Sequence, residues 1–221
     1  MTLLQMFKDG GIFMWPLLAC SILALAVIFV KFVTLRMARV RTDRLLERVR
    51  SLVQEGRIED AIDLCANTRG PVAAILLTGL YLYAEGDVEH ADRAIVHAGR
   101  IEMAFLEKGM VVLATVSNVA PLIGFLGTVA GMIIAFGAIE TAGEVEATLV
   151  AGGIKVALIT TAAGLTIAIP VNIAHNWFVQ QIDALIVDMR EGVQVIQDIL
   201  WTRALPIDTA GKEGEGPKQN P

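Results

Sequence analysis

The chain has 221 residues, 55% of them hydrophobic and 19% charged, with a formal net charge of −5. Its mean hydropathy of +0.61 is too high for an ordinary soluble domain and points to the membrane class. The charge excess is small and acidic, and no basic cluster with interleaved aromatics marks a nucleic-acid interface.

Residues 10–30 carry no charge and are bounded by Asp9 and Lys31; these 21 residues are long enough for a membrane-crossing helix. Lys8 is followed at once by Asp9, and no A-x-A site closes a short apolar core, so a retained helix is expected rather than a cleaved leader. Residues 1–35 are therefore expected to form a periplasmic N-terminus and a first transmembrane helix. Residues 36–108 follow as a cytoplasmic helical region. In "TDRLLERVRSLV" the apolar positions Leu45, Leu46, Val49, Leu52 and Val53 have the i, i+3, i+4 period of an amphipathic helix. Gly56, "RGP" at 69–71 and "EGD" at 85–87 mark breaks. A helix beginning near Val88 is expected to run unbroken into the second span.

The second charge-free interval, 109–139, has 31 residues, and the third, 156–182, has 27. Both exceed the roughly 20 residues that the hydrocarbon requires, so these helices are expected to project from the bilayer. Transmembrane helices are assigned to 109–139 and 151–177, with a periplasmic loop at 140–150 between them. Phe178, Ile182, Leu185, Met189, Val193, Ile196 and Leu200 continue the helical period through a cytoplasmic C-terminal helix at 178–204. Residues 205–221 are rich in proline, glycine and charge, and disorder is expected there. Arginine and lysine concentrate in 36–108, whereas the 140–150 loop holds Glu140, Glu144 and Glu146 and no basic residue. The positive-inside rule puts the N-terminus outside and the C-terminus in the cytoplasm of an inner-membrane, multi-pass protein. The fold class is all-α: an integral membrane protein with three transmembrane helices, long helices extending into the cytoplasm and a cytoplasmic helical hairpin.

The stretch "APLIGFLGTVAGMIIAF" is apolar enough for lipid, yet it holds Pro121, Gly124, Gly127, Gly131 and the hydroxyl of Thr128. Lipid tails give helices little hydrophobic reason to associate, so close membrane packing relies on small residues along one face. Gly124, Thr128, Gly131 and Ala135 share such a face, with Gly127 beside them. Ala157, Thr161, Gly164 and Ala168 do the same on the third span. The two threonines either satisfy their hydroxyls on their own helices and serve packing, or line a narrow polar path between helices. Pro121 and Pro170 free the carbonyls of Ser117 and Thr166, and Asn118 and Asn172 lie close enough to satisfy them. Trp15 and Trp177 fit the interfacial belt. His175 reads as an interfacial residue.

No Asp, Glu, Lys or Arg lies within the three intervals. Intramembrane acids are the usual proton carriers, so an ion path through this chain would have to borrow one. Lys155 precedes Thr161 by six residues and points about 120° away from it, which suits a pore-mouth or intersubunit charge. Cys20 and Cys65 lie in unlike surroundings, so no disulfide is expected, and neither has metal or redox spacing. No metal site, cofactor or catalytic group is expected. An intramembrane enzyme is disfavoured, because no nucleophile–base, paired-aspartate or metal-ligand set lies at membrane depth.

"APLIGFLGTVAGMIIAF" followed by "GGIKVALITTAAGLTIAIPVNIAHN" resembles the MotA/TolQ/ExbB proton channel family, nearest to the ExbB and TolQ branch. The resemblance implies a homopentameric ring whose second and third helices line a pore, threaded by an ExbD- or TolR-like single-span partner. The partner's membrane aspartate carries protons, and their flow turns ring and partner relative to one another. The family's pore threonines match Thr128 and Thr161, with Thr160 beside the latter. Many relatives have a glutamate just before "AL" in the third span, where this sequence has Val156 preceded by Lys155, so that glutamate's role does not transfer. The function implied is the proton-conducting subunit of a motor driven by the proton-motive force. It would energise transport or envelope work at the outer membrane, through a TonB- or TolA-like transducer. The alternatives are a stator for gliding or another periplasmic load, and a non-conducting membrane scaffold.

Overall fold

The computed structural model describes residues 3–39, 42–86, 88–143 and 147–204. Every regular element among them is helical: α1 (Leu3–Asp9), a 3-10 turn (Gly11–Phe13), α2 (Met14–Arg39), α3 (Thr42–Gln54), α4 (Ile58–Ala66), α5 (Pro71–Glu85), α6 (Val88–Glu107), α7 (Met110–Ala142) and α8 (Ala147–Ala204). Three helical stretches, Gly11–Ala38, Arg93–Ala142 and Val150–Gln197, are long and apolar enough to cross a membrane. The chain is thus an all-α integral membrane protein. The tail expected at 205–221 lies outside the described residues, as do Glu144 and Glu146 of the acidic loop.

The region between the first two spans divides into four helices, α3 to α6, with breaks at the glycines that the sequence marks. The run from Val88 into the second span is interrupted rather than unbroken. α6 ends at Glu107, and α7 begins after Gly109, whose φ of +91° lies in the left-handed region that side chains disfavour. In contrast, α8 is one 58-residue helix that passes through Pro170 without a break.

Two compact units emerge. One contains the described residues within 42–103 and 186–204. Its core takes the predicted α3 stripe, where Leu45, Leu46, Val49, Leu52 and Val53 are all buried. Ile75, Leu76 and Leu80 of α5 are buried as well. Gly79 of α5 makes room for Ile196 of α8: a Cβ there would stand 2.5 Å from the Ile196 Cδ1.

The other unit contains the described residues within 3–39 and 104–185, and so holds the membrane helices. Its α7 buries Met110, Leu113, Val116, Ala120, Gly124, Gly127, Gly131 and Ala135, a row with helical spacing throughout. Leu17 of α2, Ala120 of α7 and Ala168 of α8 form a common buried cluster. Large side chains elsewhere on these helices, such as Phe29, Phe125 and Ile133, face outward. Such an inverted distribution is what lipid as solvent permits, with small residues inside and bulky apolar ones out.

Candidate functional site: the seam between α7 and α8

Three of the four α7 glycines, Gly124, Gly127 and Gly131, meet α8 backbone to backbone or backbone to threonine. A Cβ on Gly124 would stand 2.9 Å from the Thr160 carbonyl oxygen, and one on Gly131 would stand 2.6 Å from that of Gly153. Gly127 faces the Thr160 side chain directly. From the other side, a Cβ on Gly164 would stand 2.6 Å from the Ala120 carbonyl oxygen, and one on Gly153 would stand 2.5 Å from that of Gly131. Gly153 thus completes the seam. Its spacing carries the signal, since Gly153 precedes Ala157 by four residues and so extends the Ala157, Thr161 and Gly164 face.

The three threonines separate. Thr160 is fully buried, and its hydroxyl donates to the carbonyls of Val156 and Ala157 on its own helix, at 3.1 and 3.0 Å. Thr161 reaches across: its hydroxyl donates to the Gly124 carbonyl of α7 at 3.2 Å. Thr128 bonds its own helix as Thr160 does, but it is not buried. It lies beside the buried row, donates to the Phe125 carbonyl at 2.6 Å, and opens onto an outward cleft with Met132, Phe136 and Glu140. Thr128 and Thr161 therefore do not line one gap between α7 and α8. That seam is closed, since spaces that cannot take a Cβ cannot take a water. Thr166 also faces outward, with its hydroxyl on the Ala162 carbonyl at 2.7 Å.

The remaining candidates fall around this seam. Pro121 is half-buried inside α7 and Pro170 is exposed inside α8. The Ser117 hydroxyl donates to the Ala114 carbonyl, and the Asn172 side-chain oxygen accepts from the Asn176 amide one turn along α8. Trp177 stacks near Phe32 and Phe178, and the Arg36 guanidinium lies 4.9 Å from the Phe32 ring centroid. His175 lies beside Asn176. Among the described residues, no three His, Cys, Asp or Glu side chains converge as metal ligands.

Two lysines have partners that no local pattern announced. Lys155 forms an ion pair with Asp9, at 2.6 Å, so its partner lies within its own chain. That contact ties α1 to α8, and Gly10 packs close by: a Cβ there would stand 3.2 Å from Ile159 of α8. Lys31, which in the sequence only bounds the first span, is buried and donates to the Leu106 carbonyl at 2.6 Å.

Residues 67–191, which include the whole seam, match the profile of the MotA/TolQ/ExbB proton channel family. This chain belongs to that family. An ExbB homolog of Methanothermobacter thermautotrophicus is 30% identical over 82% of the chain and 64% of its own length. An ExbB-like protein of Synechocystis is 34% identical over 76% of the chain and 66% of its own length. The Tol-Pal system protein TolQ of Haemophilus influenzae is 37% identical over 54% of the chain and 53% of its own length. These matches place the chain in the ExbB and TolQ branch. The chain spans slightly under two thirds of the length of the first two relatives.

Proposed function

We propose that the chain is the proton-conducting ring subunit of an inner-membrane motor driven by the proton-motive force. It works with an ExbD- or TolR-like single-span partner and, through a TonB- or TolA-like transducer, energises transport or envelope processes at the outer membrane. The N-terminus is periplasmic, and the basic region and C-terminus are cytoplasmic, as the lysine and arginine bias directs. The observation that carries this reading is the position of Thr128. It is a hydroxyl held at the edge of a closed seam, opening onto a cleft that Glu140 borders. No acid, lysine or arginine lies in the 109–139 and 156–182 intervals of α7 and α8. Thr128 and Thr166 can lower the cost of a charge in transit without storing it, and a carboxylate supplied by the partner stores it. Thr161 and Thr160 belong to the frame: the first registers α8 against α7, and the second fills the space left by Gly127.

The experiment is proton flux into liposomes containing the purified ring alone, the ring with its partner, and the ring with a partner whose membrane aspartate is asparagine. Flux is expected only in the second preparation. Substantial flux through the ring alone, or undiminished flux with the asparagine partner, would sink the proposal.

A second reading has one observation in its favour. The hydroxyls of Thr128, Thr160 and Thr166 all satisfy themselves on their own helices, as purely structural threonines would. A non-conducting scaffold predicts that Thr128→Ala leaves partner-dependent flux intact, whereas the conducting ring predicts its loss.

A further inference from the structure

We infer that Lys31 is a positioning residue: its ammonium locks the break between α6 and α7, and so holds α7 at the axial register where Gly124 meets Thr161. Among the described residues, Lys31 is the one lysine or arginine that is buried, at 6% exposure. A buried ammonium is costly unless a partner compensates it. The partner given by the structure is the Leu106 carbonyl at 2.6 Å, 75 residues along the chain. That carbonyl lies in the last turn of α6, where helix carbonyls lose their intrahelical amides and a cation is favoured.

The break itself is small. The Lys108 amide still donates to the Ala104 carbonyl, and the Val112 amide to the Gly109 carbonyl. Between them Gly109 turns the backbone at φ +91°. The same stretch of α2 covers that turn, since a Cβ on Gly109 would stand 3.5 Å from Val27 and 3.8 Å from the Lys31 Cε. Farther up α2, Leu17 packs with Ala120 of α7. Leu17 and Lys31 are 14 residues apart, as are Leu106 and Ala120. At 1.5 Å per residue the α2 side spans about 21 Å, and the facing stretch covers the same number of residues through the Gly109 turn. α2 therefore spans the break in antiparallel register, fixed at one end by an apolar contact and at the other by an ammonium. Without the ammonium, rotation at Gly109 is restrained from one side only, and α7 can slide relative to α8.

The consequence for conduction rests on the proton-path reading above; the consequence for the break does not. Hydrogen exchange of the assembled protein in nanodiscs reads the break directly. In the wild type the Lys108 and Val112 amides are expected to exchange slowly. In Lys31→Met they are expected to exchange on the order of tenfold faster, the factor carried by a lost charged hydrogen bond. Partner-dependent proton flux is expected to fall by a similar factor. Lys31→Arg should restore both to within about threefold, because it returns a cationic donor. Lys108→Gln, which removes an exposed cation beside the break, should change neither. If Lys31→Met does not assemble, Lys31→Gln keeps an uncharged donor and is expected to show an intermediate rise in exchange. Fast exchange of these amides in the wild type, or wild-type exchange in either neutral variant, would overturn the lock. Raised exchange with unchanged flux would overturn the positioning role. Absence of flux in the wild type counts instead against the proton path.

Discussion

Replacing Gly131 with alanine adds one methyl group at one of the tightest backbone approaches of the seam. That methyl would stand 2.6 Å from the Gly153 carbonyl oxygen and 2.9 Å from the Ala157 amide nitrogen. Both are backbone atoms of a helix, so no side-chain rotation relieves the contact. Ordinary contact begins near 3.4 Å, and the difference from 2.6 Å requires α7 and α8 to part locally by about 0.8 Å. The Thr161 hydroxyl already sits 3.2 Å from the Gly124 carbonyl, so the same parting would take that bond to about 4 Å and break it. Overpacking of this kind costs roughly 1–3 kcal/mol, and the lost hydrogen bond about 1 kcal/mol more. Alanine's better helix propensity returns up to about 1 kcal/mol. The net expectation is a loss of about 1–3 kcal/mol. Gly137→Ala on the same helix is the control, because nothing lies within 4 Å of a Cβ there. It should be neutral or stabilising. Reversible unfolding in mixed micelles gives both values, and the Gly131→Ala/Gly153→Ala pair should be strongly non-additive, since both methyls force one separation. If Gly131→Ala proves as stable as Gly137→Ala, the seam is not closed as described.

Thr161→Val keeps the shape of the side chain but removes the donor to Gly124, so partner-dependent flux should fall at least tenfold with the oligomer intact. Thr166→Val should lower flux less; equal losses at the two positions would refute the register role given to Thr161. Cys65 is 2% exposed, and burial pushes its thiol up from 9.0 to about 12. At pH 9 its thiolate fraction in the native state is therefore about a thousandth, and maleimide should label it only on unfolding. Because the thiol ionises in the unfolded chain first, stability should decline as pH rises between 9.0 and about 12. Rapid native labelling at pH 8 would show that α4 does not bury it. The Asp9–Lys155 pair is about two-fifths exposed, so screening limits its worth to at most about 1 kcal/mol. Asp9→Lys and Lys155→Asp should each destabilise slightly, and the double exchange should recover the loss; an additive cycle would mean that α1 is not held by this pair.

Much of the fold was legible because it follows from short-range rules. The charge-free intervals mark the helices that lipid can accept, since an uncompensated charge there is expensive. The period of Leu45, Leu46, Val49, Leu52 and Val53 located a buried stripe, and the glycines at 56, 70 and 86 located the breaks, because both depend on local backbone geometry. Spacing also identified Gly124, Gly131, Ala157 and Gly164 as faces built for close approach. Spacing did not show which hydroxyl each face would use. Thr128 lies one helical step from the buried row and turns outward, whereas Thr161 reaches Gly124 and Thr160 closes on Gly127. The direction of a side chain on its own helix is local, but its partner depends on how far one helix has slid along another. Lys31 on Leu106 and Lys155 on Asp9 are partners of that second kind, as is the placing of α2 across the Gly109 break. They depend on register between segments far apart in the chain, and only the packed structure supplies it.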